Sequence, residues 1–276
     1  MKRVVKNRLI MFGAIASAIV IVVGALAPWL QPYSYDEVDM ANRLAPPSRR
    51  FPLGTDQFGR DILSRIIYGT RISLSVGVLA TGVAVAIGSV LGIIAGYYGK
   101  WTDDLIMRFM DLWVSFPTLI LAVALVAFLG PNFRNVILAV GLVRVPQFAR
   151  VARVCVLTVK NLEYVEAARS VGRTDASIIL NHIVPNIIGP LMVLASLSMA
   201  TAINAEASLS FIGLGVQPPV PSWGSMLADG RAYMLDAPWI ATAPGLAVTL
   251  AVLGYNLLGD GLRDMLDPRL RGTVGK

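Results

Sequence analysis

A dense group of charged residues interrupts an otherwise apolar sequence between positions 150 and 182. On membrane-insertion scales, a charged side chain at the bilayer centre costs about 2.5 to 3.5 kcal/mol, so this segment must protrude into water. A helix with one apolar stripe and an otherwise charged surface suits docking into a groove on a soluble partner. The charged residues are Arg150, Arg153, Lys160, Glu163, Glu166, Arg169, Arg173 and Asp175.

Two short helices are expected within this segment. Helix-forming residues at 166–168 are followed by a glycine, which interrupts the first helix. Isoleucines then recur at near-helical spacing until a proline, where the second helix should stop. The residues that define this pattern are Glu166, Ala167, Ala168, Gly172, Ile178, Ile179, Ile183 and Pro185.

The composition of the whole chain is typical of a helical membrane protein. Of its 276 residues, 55% are hydrophobic and 15% charged, and the mean hydropathy is +0.66, which is too apolar for a soluble fold of this length. We predict an all-α membrane bundle of six transmembrane helices, because a helix needs about 20 apolar residues to cross a bilayer. The apolar runs cover residues 9–30, 72–99, 112–133, 135–149, 183–205 and 237–259.

The fourth apolar run is short and contains Arg144 and Pro146. We expect its helix to continue toward Val159 and Arg144 to extend toward the lipid headgroups. Six spans place both termini on one side, together with the charged segment and 16 of the 24 Lys and Arg residues. By the positive-inside rule this side is cytoplasmic. The net charge of +7 is scattered over loop ends, which argues against nucleic acid as a partner.

Small residues recur every four positions along the second apolar run. They place a smooth stripe on one face of the helix, which allows close packing against another helix or a second subunit. The frequency of glycine and alanine in membrane helices is the simpler alternative. The stripe comprises Ala80, Ala84, Gly88, Gly92 and Gly96.

Several segments of the sequence resemble those of a known transporter family. The Glu-Ala-Ala…Gly spacing of the charged segment resembles the EAA loop of permease subunits of ABC importers. Strings at 51–65, 115–117, 210–224 and 258–269 are similar to those of dipeptide and oligopeptide permeases. The chain thus resembles the C-type permease of the peptide/nickel family. That resemblance implies a type I ABC importer permease fold, with an N-terminal region at 1–65, a transmembrane domain at 66–262 containing the EAA loop at about 150–186, and a cytoplasmic tail at 263–276.

The resemblance also implies partners, a location and a substrate class. The chain would pair with a second homologous permease, two ATP-binding subunits holding ATP and Mg, and an extracytoplasmic binding protein, in the bacterial cytoplasmic (inner) membrane. It would form the pathway for di- or oligopeptides, although relatives with the same strings carry nickel, glutathione or oligosaccharides. The residues implied to couple to the ATPase are Glu166, Ala167, Ala168, Gly172, Ile178, Ile179, His182, Ile183 and Pro185.

Catalytic chemistry in this chain is not expected. The sequence lacks the G-x-x-x-x-G-K-[ST] loop that cradles phosphates, so ATP hydrolysis is assigned to other subunits. One histidine and one cysteine, Cys155, make a zinc site or a Cys/His nucleophile implausible. An ion-coupled secondary transporter would require paired charges near mid-membrane, and an intramembrane enzyme would require a nucleophile or an acid pair. Glu206, an acid in a long apolar passage, is equally suited to a structural hydrogen bond or a substrate contact.

Overall fold

The computed structural model describes residues 2–266, and α-helices dominate this part of the chain. The predicted tail at 263–276 therefore lies mostly outside the described residues. A π-helix at Ile179–Ile183 joins the seventh and eighth α-helices. The α-helices are α1 (Lys2–Leu30), α2 (Ile62–Tyr98), α3 (Lys100–Val114), α4 (Thr118–Leu129), α5 (Phe133–Val159), α6 (Glu163–Ser170), α7 (Asp175–Ile178), α8 (Val184–Phe211), α9 (Trp223–Arg231) and α10 (Trp239–Leu266).

Five helical segments of the described chain are long and apolar enough to cross a membrane, or six if one bent pair counts as a span. They are α1, α2, α5, the continuous helix Asp175–Phe211 and α10. The all-α membrane bundle predicted from the sequence is confirmed, and so is the extension of the fourth span to Val159. The exposed apolar side chains along α1, such as Ile15, Ile19 and Val22, are those expected to face lipid.

The third predicted span, at 112–133, is not a single helix. It breaks at Ser115–Pro117 into α3 and α4, whose axes differ by 89°. Proline cannot donate a backbone hydrogen bond, and its ring disfavours helical backbone at the preceding residue. By itself α4 has 12 residues, or about 18 Å, which is shorter than the roughly 30 Å hydrocarbon core. Ion pairs from Arg150 to Asp111 and from Arg153 to Asp103 fasten the amphipathic α3 to α5.

The central helix is α2, which packs most extensively on α5 and also contacts α1 and α8. With 37 residues it is about 55 Å long, so it extends beyond a bilayer. It begins ten residues earlier than the predicted apolar run, because the carboxylate of Asp61 accepts a hydrogen bond from the backbone N–H of Ser64 and caps the helix. Gly69 lies inside α2 and packs against Trp223.

The small-residue stripe of α2 lies against α5. Ala80, Ala84, Gly88, Gly92 and Gly96 are all buried. A Cβ atom on Gly92 would lie 2.2 Å from the carbonyl oxygen of Ala149, and one on Gly88 would lie 2.6 Å from the carbonyl oxygen of Val145. The two backbones therefore approach more closely than any larger side chain allows.

The segment between α1 and α2, residues 31–61, folds around a buried carboxylate. Asp56 pairs with Arg60 at 2.6 Å and with Arg65 at 3.5 Å. Positive φ angles at Gly54 and Gly59 form the turns on either side. This segment packs on α10 through a hydrogen bond from Trp239 Nε1 to the carbonyl oxygen of Thr55.

Candidate functional site

The loop at residues 160–183, here called the charged loop, lies on the ends of α2 and α5. Three of its side chains enter the same hydrophobic cluster as Tyr97 of α2 and Val156 of α5. The charged loop therefore packs directly against the helix bundle. Its fully buried members are Val165, Ile178 and Ile183.

The helix α6 buries one side and presents the other to solvent. Val165 points into the cluster, and Ala168 is half-buried against it. Glu163 and Glu166 lie in the first turn and Arg169 in the last, which is the favourable arrangement for the helix dipole. Glu166 and Ala167, both implied to couple to a partner, are exposed.

Gly172 ends α6 in the left-handed conformation, with φ of +81°. Its N–H donates to the carbonyl oxygen of Arg169, and the N–H of Arg173 donates to the carbonyl oxygen of Ala168, so the open end of the helix is closed by the turn. A Cβ atom at Gly172 would meet nothing within 4 Å. Backbone conformation, and not lack of space, is therefore the reason for glycine at this position.

Three contacts fasten the charged loop to α2. Tyr97 Oη donates a 2.6 Å hydrogen bond to Asp175 Oδ1, and the guanidinium of Arg169 lies 5.9 Å from the centre of the Tyr97 ring. On the other side of the loop, Lys160 Nζ donates a 2.7 Å hydrogen bond to the carbonyl oxygen of Gly96. The end of α2 therefore holds the loop at its start and at its middle.

The sequence predicted that the second helix of the charged loop stops at Pro185. This prediction is wrong, because the helix continues past Pro185. The short α7 continues through the π-helix into α8, and Pro185 is the second residue of α8. In a π-helix the hydrogen bonds run from i to i+5. Ile178 and Ile183, five residues apart, can therefore face the same side, and Ile187 continues this face one α-helical turn later.

Ile178 and Ile183, both among the residues implied to couple to the ATPase, are 0% exposed in this chain. Ile179 and His182 are half-buried, and Pro185 is exposed. The ring of His182 lies 6.2 Å from that of Tyr164, and its Nε2 makes no hydrogen bond within residues 2–266. Two apolar side chains that the sequence did not single out face solvent instead: Val171 is 84% exposed and Leu180 65%.

A cavity of about 620 Å³ lies between α4, α5 and α8, and the end of α3 contributes to it. Most of its wall is apolar, and all but one of the polar residues that line it come from α5 and α8. Arg144 belongs to this wall, so the prediction that it extends toward the headgroups is wrong. The polar lining comprises Arg144, Gln147, Arg150, Thr201, Asn204 and Ser208, with Thr118 from α4.

Glu206 lies on the other side of α8, away from this cavity. Its carboxylate is 0% exposed and accepts hydrogen bonds from Ser73 of α2 at 2.9 Å and from Ser210 at 2.6 Å. Ser73 and Ser210 also contact the start of α9, through Trp223 N and Ser222 Oγ. Glu206 therefore joins α2, α8 and α9 and does not line the cavity.

Residues 2–266 contain no group of three His, Cys, Asp or Glu side chains placed to hold a metal ion. Sequence reasoning missed Val165, the bond between Tyr97 and Asp175, and the cavity. Tyr97 lies 78 positions from Asp175, so no local pattern relates the two. The position of Arg144 within an apolar run was the signal for the cavity. The sequence analysis, however, predicted the wrong direction for the side chain of Arg144.

Comparisons with known proteins give consistent results. Residues 88–272 match the family model described as "Binding-protein-dependent transport system inner membrane component". Residues 1–47 match the "N-terminal TM domain of oligopeptide transport permease C". The chain is 45% identical, over 98% of its length and 89% of the relative, to the dipeptide transport system permease protein DppC of Alkalihalophilus pseudofirmus.

A second relative is the glutathione transport system permease protein GsiD of Escherichia coli. It is 44% identical over 98% of this chain and 90% of the relative. Among solved structures, the fold is similar to that of an inward-facing MetNI methionine ABC transporter, with a TM-score of 0.59 and 17% identity. This similarity covers 73% of this chain and 96% of the MetNI chain.

Proposed function

Because this chain belongs to the family of binding-protein-dependent transport system inner membrane components, it is a multi-pass membrane permease of the ABC importer type, and we propose that it carries small peptides. The observation that supports peptides most directly is the identity of 45% along 98% of the chain to a dipeptide permease. Relatives named for glutathione fit the same class, because glutathione is itself a tripeptide.

Nickel and oligosaccharides are less well supported as cargo. The described wall of the cavity contains no His, Cys, Asp or Glu, and these are the side chains that bind transition metals. The wall is mainly apolar, with a few amide, hydroxyl and guanidinium groups. Such a surface suits a peptide, which has an apolar body and a few polar groups, better than a sugar with many hydroxyls.

An ion-coupled secondary transporter is also disfavoured. Transporters of that kind place ionisable groups along the ion pathway. Glu206 lies among serine hydroxyls between α2, α8 and α9, while Asn204 and Ser208 of the same helix line the cavity. The acid that would be the candidate for ion coupling is therefore turned away from the proposed pathway.

The energy for import would come from separate ATPase subunits that hold ATP and Mg. The sequence has no phosphate-cradling loop, and the charged loop has the exposed charged and apolar groups that a soluble partner requires. We assign the coupling role to the loop that contains Glu166, Ala167, Ala168 and Gly172. In this assignment Ile178, Ile179, Ile183, His182 and Pro185 position the loop on the bundle.

Continuity between the charged loop and α8 supports a mechanical role. The helix from Asp175 to Phe211 runs without a break, so one rigid element bears both the partner-facing Leu180 and the cavity-lining Asn204. A push on the loop would tilt α8 and change the shape of the cavity. A rigid-body shift of this kind is one of the established routes to alternating access.

The complete importer would then contain a second homologous permease, two ATP-binding subunits and an extracytoplasmic binding protein. We place it in the bacterial cytoplasmic membrane, with both termini and the charged loop on the cytoplasmic side, in agreement with the distribution of Lys and Arg. The division into residues 1–65, 66–262 and 263–276 remains part of this proposal.

Reconstitution tests the proposed function. The chain would be assembled in proteoliposomes with its partner permease, ATPase subunits and binding protein, and uptake of a radiolabelled dipeptide would be followed with ATP on the loop side. We expect uptake that requires ATP and the binding protein. Uptake driven by a proton or sodium gradient without ATP, or uptake of nickel or an oligosaccharide in place of peptide, would overturn the proposal.

A further inference from the structure

Arg144 occupies an unusual position for a cation. It lies 11 residues into the 27-residue helix α5, about 17 Å from the start of a helix about 40 Å long. This is close to the middle of a span that crosses the membrane. A cation at that depth is costly unless it meets an anion or water, and such residues usually face a cavity. Arg144 fits this rule, since its side chain lines the cavity between α4, α5 and α8.

The two arginines of the cavity wall differ in their partners. Arg150 is neutralised by Asp111 of α3, with 2.6 Å between Nη2 and Oδ1. Arg144 makes no ion pair with an acidic side chain within residues 2–266, and the described cavity wall contains no Asp or Glu. The described cavity wall therefore carries one positive charge without an acidic partner, and an anion that complements it would come from another molecule.

Uncharged hydrogen-bonding groups lie around the same space. Gln147 is three residues from Arg144 on α5, and Thr201, Asn204 and Ser208 follow one another at helical spacing along one face of α8. Thr201 and Ser208 donate to backbone carbonyl oxygens of their own helix. The amides of Gln147 and Asn204 are exposed, so both helices offer N–H donors to the cavity.

We propose that Arg144, with Asn204 and Gln147 of the same cavity wall, binds the carboxylate of a peptide as the peptide crosses the membrane. This inference rests on the proposed function. A guanidinium presents a planar fork of donors that matches a carboxylate in two-point contact. Amide groups can complete the shell of donors around the same oxygens.

The size of the cavity favours a mobile ligand over a permanent partner. Its volume of about 620 Å³ lies within the roughly 300 to 1,000 Å³ that is usual for ligand pockets. A fixed ion pair with a carboxylate of a second permease would call for close packing around the two charges, and the space beside Arg144 is large enough for a small peptide. An ion pair between Arg144 and a carboxylate of the second permease is the alternative that the experiment must distinguish from binding of a peptide.

The test compares alanyl-alanine with its C-terminal amide in the reconstituted importer. Uptake is measured for the unsubstituted chain, Arg144→Gln and Arg144→Lys, at concentrations that saturate the binding protein for each peptide. Arg134→Gln, at an exposed arginine in the first turn of α5, is the matched control. We expect Arg144→Gln to lower uptake of the free acid about tenfold to a hundredfold, because hydrogen bonds to charged groups are worth that factor.

The ratio of alanyl-alanine uptake to uptake of its C-terminal amide reports whether the carboxylate is recognised. It should fall toward one in Arg144→Gln, stay above one in Arg144→Lys and be unchanged in Arg134→Gln. A photoreactive dipeptide applied without the binding protein provides a second readout: the acid should crosslink to the cavity of the unsubstituted chain, and Arg144→Gln should abolish this. Together these measurements separate recognition of the carboxylate from a fault in folding.

Other outcomes would overturn the inference in distinguishable ways. Equal uptake of the free acid by Arg144→Gln and the unsubstituted chain would remove Arg144 from recognition and leave the proposed function standing. Failure of Arg144→Gln to assemble with the second permease would assign Arg144 to a carboxylate of that subunit. If the unsubstituted importer takes up neither peptide and neither crosslinks, the proposed function itself fails.

Discussion

The hydroxyl of Tyr97, at the end of α2, donates a 2.6 Å hydrogen bond to Asp175 Oδ1 in the charged loop. The two residues are 78 positions apart in the sequence. Through this bond the long central helix α2 contacts the middle of the charged loop. Because α7 continues into α8, whatever fixes Asp175 also fixes the end of a helix that lines the cavity.

Replacement of Tyr97 by Phe should weaken the attachment of the charged loop. The change removes a hydrogen bond to a charged group and leaves the buried ring in place, so we expect a loss of about 1 kcal/mol in the half-exposed setting of this pair. The melting temperature of the purified chain should fall by a few degrees, and less peptide should be imported per ATP hydrolysed. Tyr98→Phe, at an exposed neighbouring ring, is the control. Identical behaviour of the two variants would count against the role of the bond.

Substitution of Gly172 should affect coupling through the backbone. Its φ of +81° costs a residue with a Cβ atom about 1 to 2 kcal/mol, so Gly172→Ala should lower ATP-driven uptake moderately. Gly172→Pro should abolish it, because proline cannot adopt this φ and lacks the N–H that donates to Arg169. Gly130→Ala, at another left-handed glycine with open space around it, controls for general effects of strain. Full uptake by a correctly inserted Gly172→Pro variant would contradict the coupling role.

Two neighbouring apolar residues should separate positioning of the loop from contact with a partner. Ile178 is fully buried and Leu180 is 65% exposed. Ile178→Ala should therefore destabilise the chain by about 2 to 5 kcal/mol through the cavity it leaves, whereas Leu180→Ala should leave the melting temperature unchanged. If Leu180 contacts the ATPase subunit, Leu180→Ala should reduce its co-purification. Normal co-purification with Leu180→Ala would remove this side chain from the docking surface.

The packing of α2 on α5 should depend on Gly92 and not on Gly82. A Cβ atom on Gly92 would lie 2.2 Å from the carbonyl oxygen of Ala149, whereas one on Gly82 would meet nothing within 4 Å. Overpacking of this kind typically costs about 1 to 3 kcal/mol, so Gly92→Ala should lower the melting temperature in detergent. Gly82→Ala, which only improves helix propensity, should leave it unchanged or raise it slightly. Equal melting temperatures for both variants would show that the close approach is dispensable.

Local features of the chain were predictable because each arises from a few neighbouring residues. The apolar runs that form α1, α2, α5, α8 and α10 are read from length and hydropathy, since lipid demands about 20 apolar residues for each span. The exposure of the charged loop and the break at Gly172 follow equally from the cost of buried charge and the freedom of glycine.

Other features depended on which surfaces meet in the folded bundle. The sequence showed Ile178 and Ile183 only as apolar residues at near-helical spacing, and it is the packed structure that places both in the core with Tyr97. The sequence placed Arg144 toward the headgroups, but the packing of α4, α5 and α8 leaves a cavity that accommodates the charge at mid-span. A helix has two faces, and only contact with other helices decides which one is buried.

The amino-acid sequence by itself thus determined the all-α membrane class, most of the spans and the water-exposed loop, because these are properties of local composition. The tertiary structure alone decided the ion pair that holds α3 to α5 through Arg153 and Asp103, the bond that holds Asp175 to Tyr97 and the direction of Arg144. These features join residues far apart in the chain, and their energies exist only when the helices are packed together.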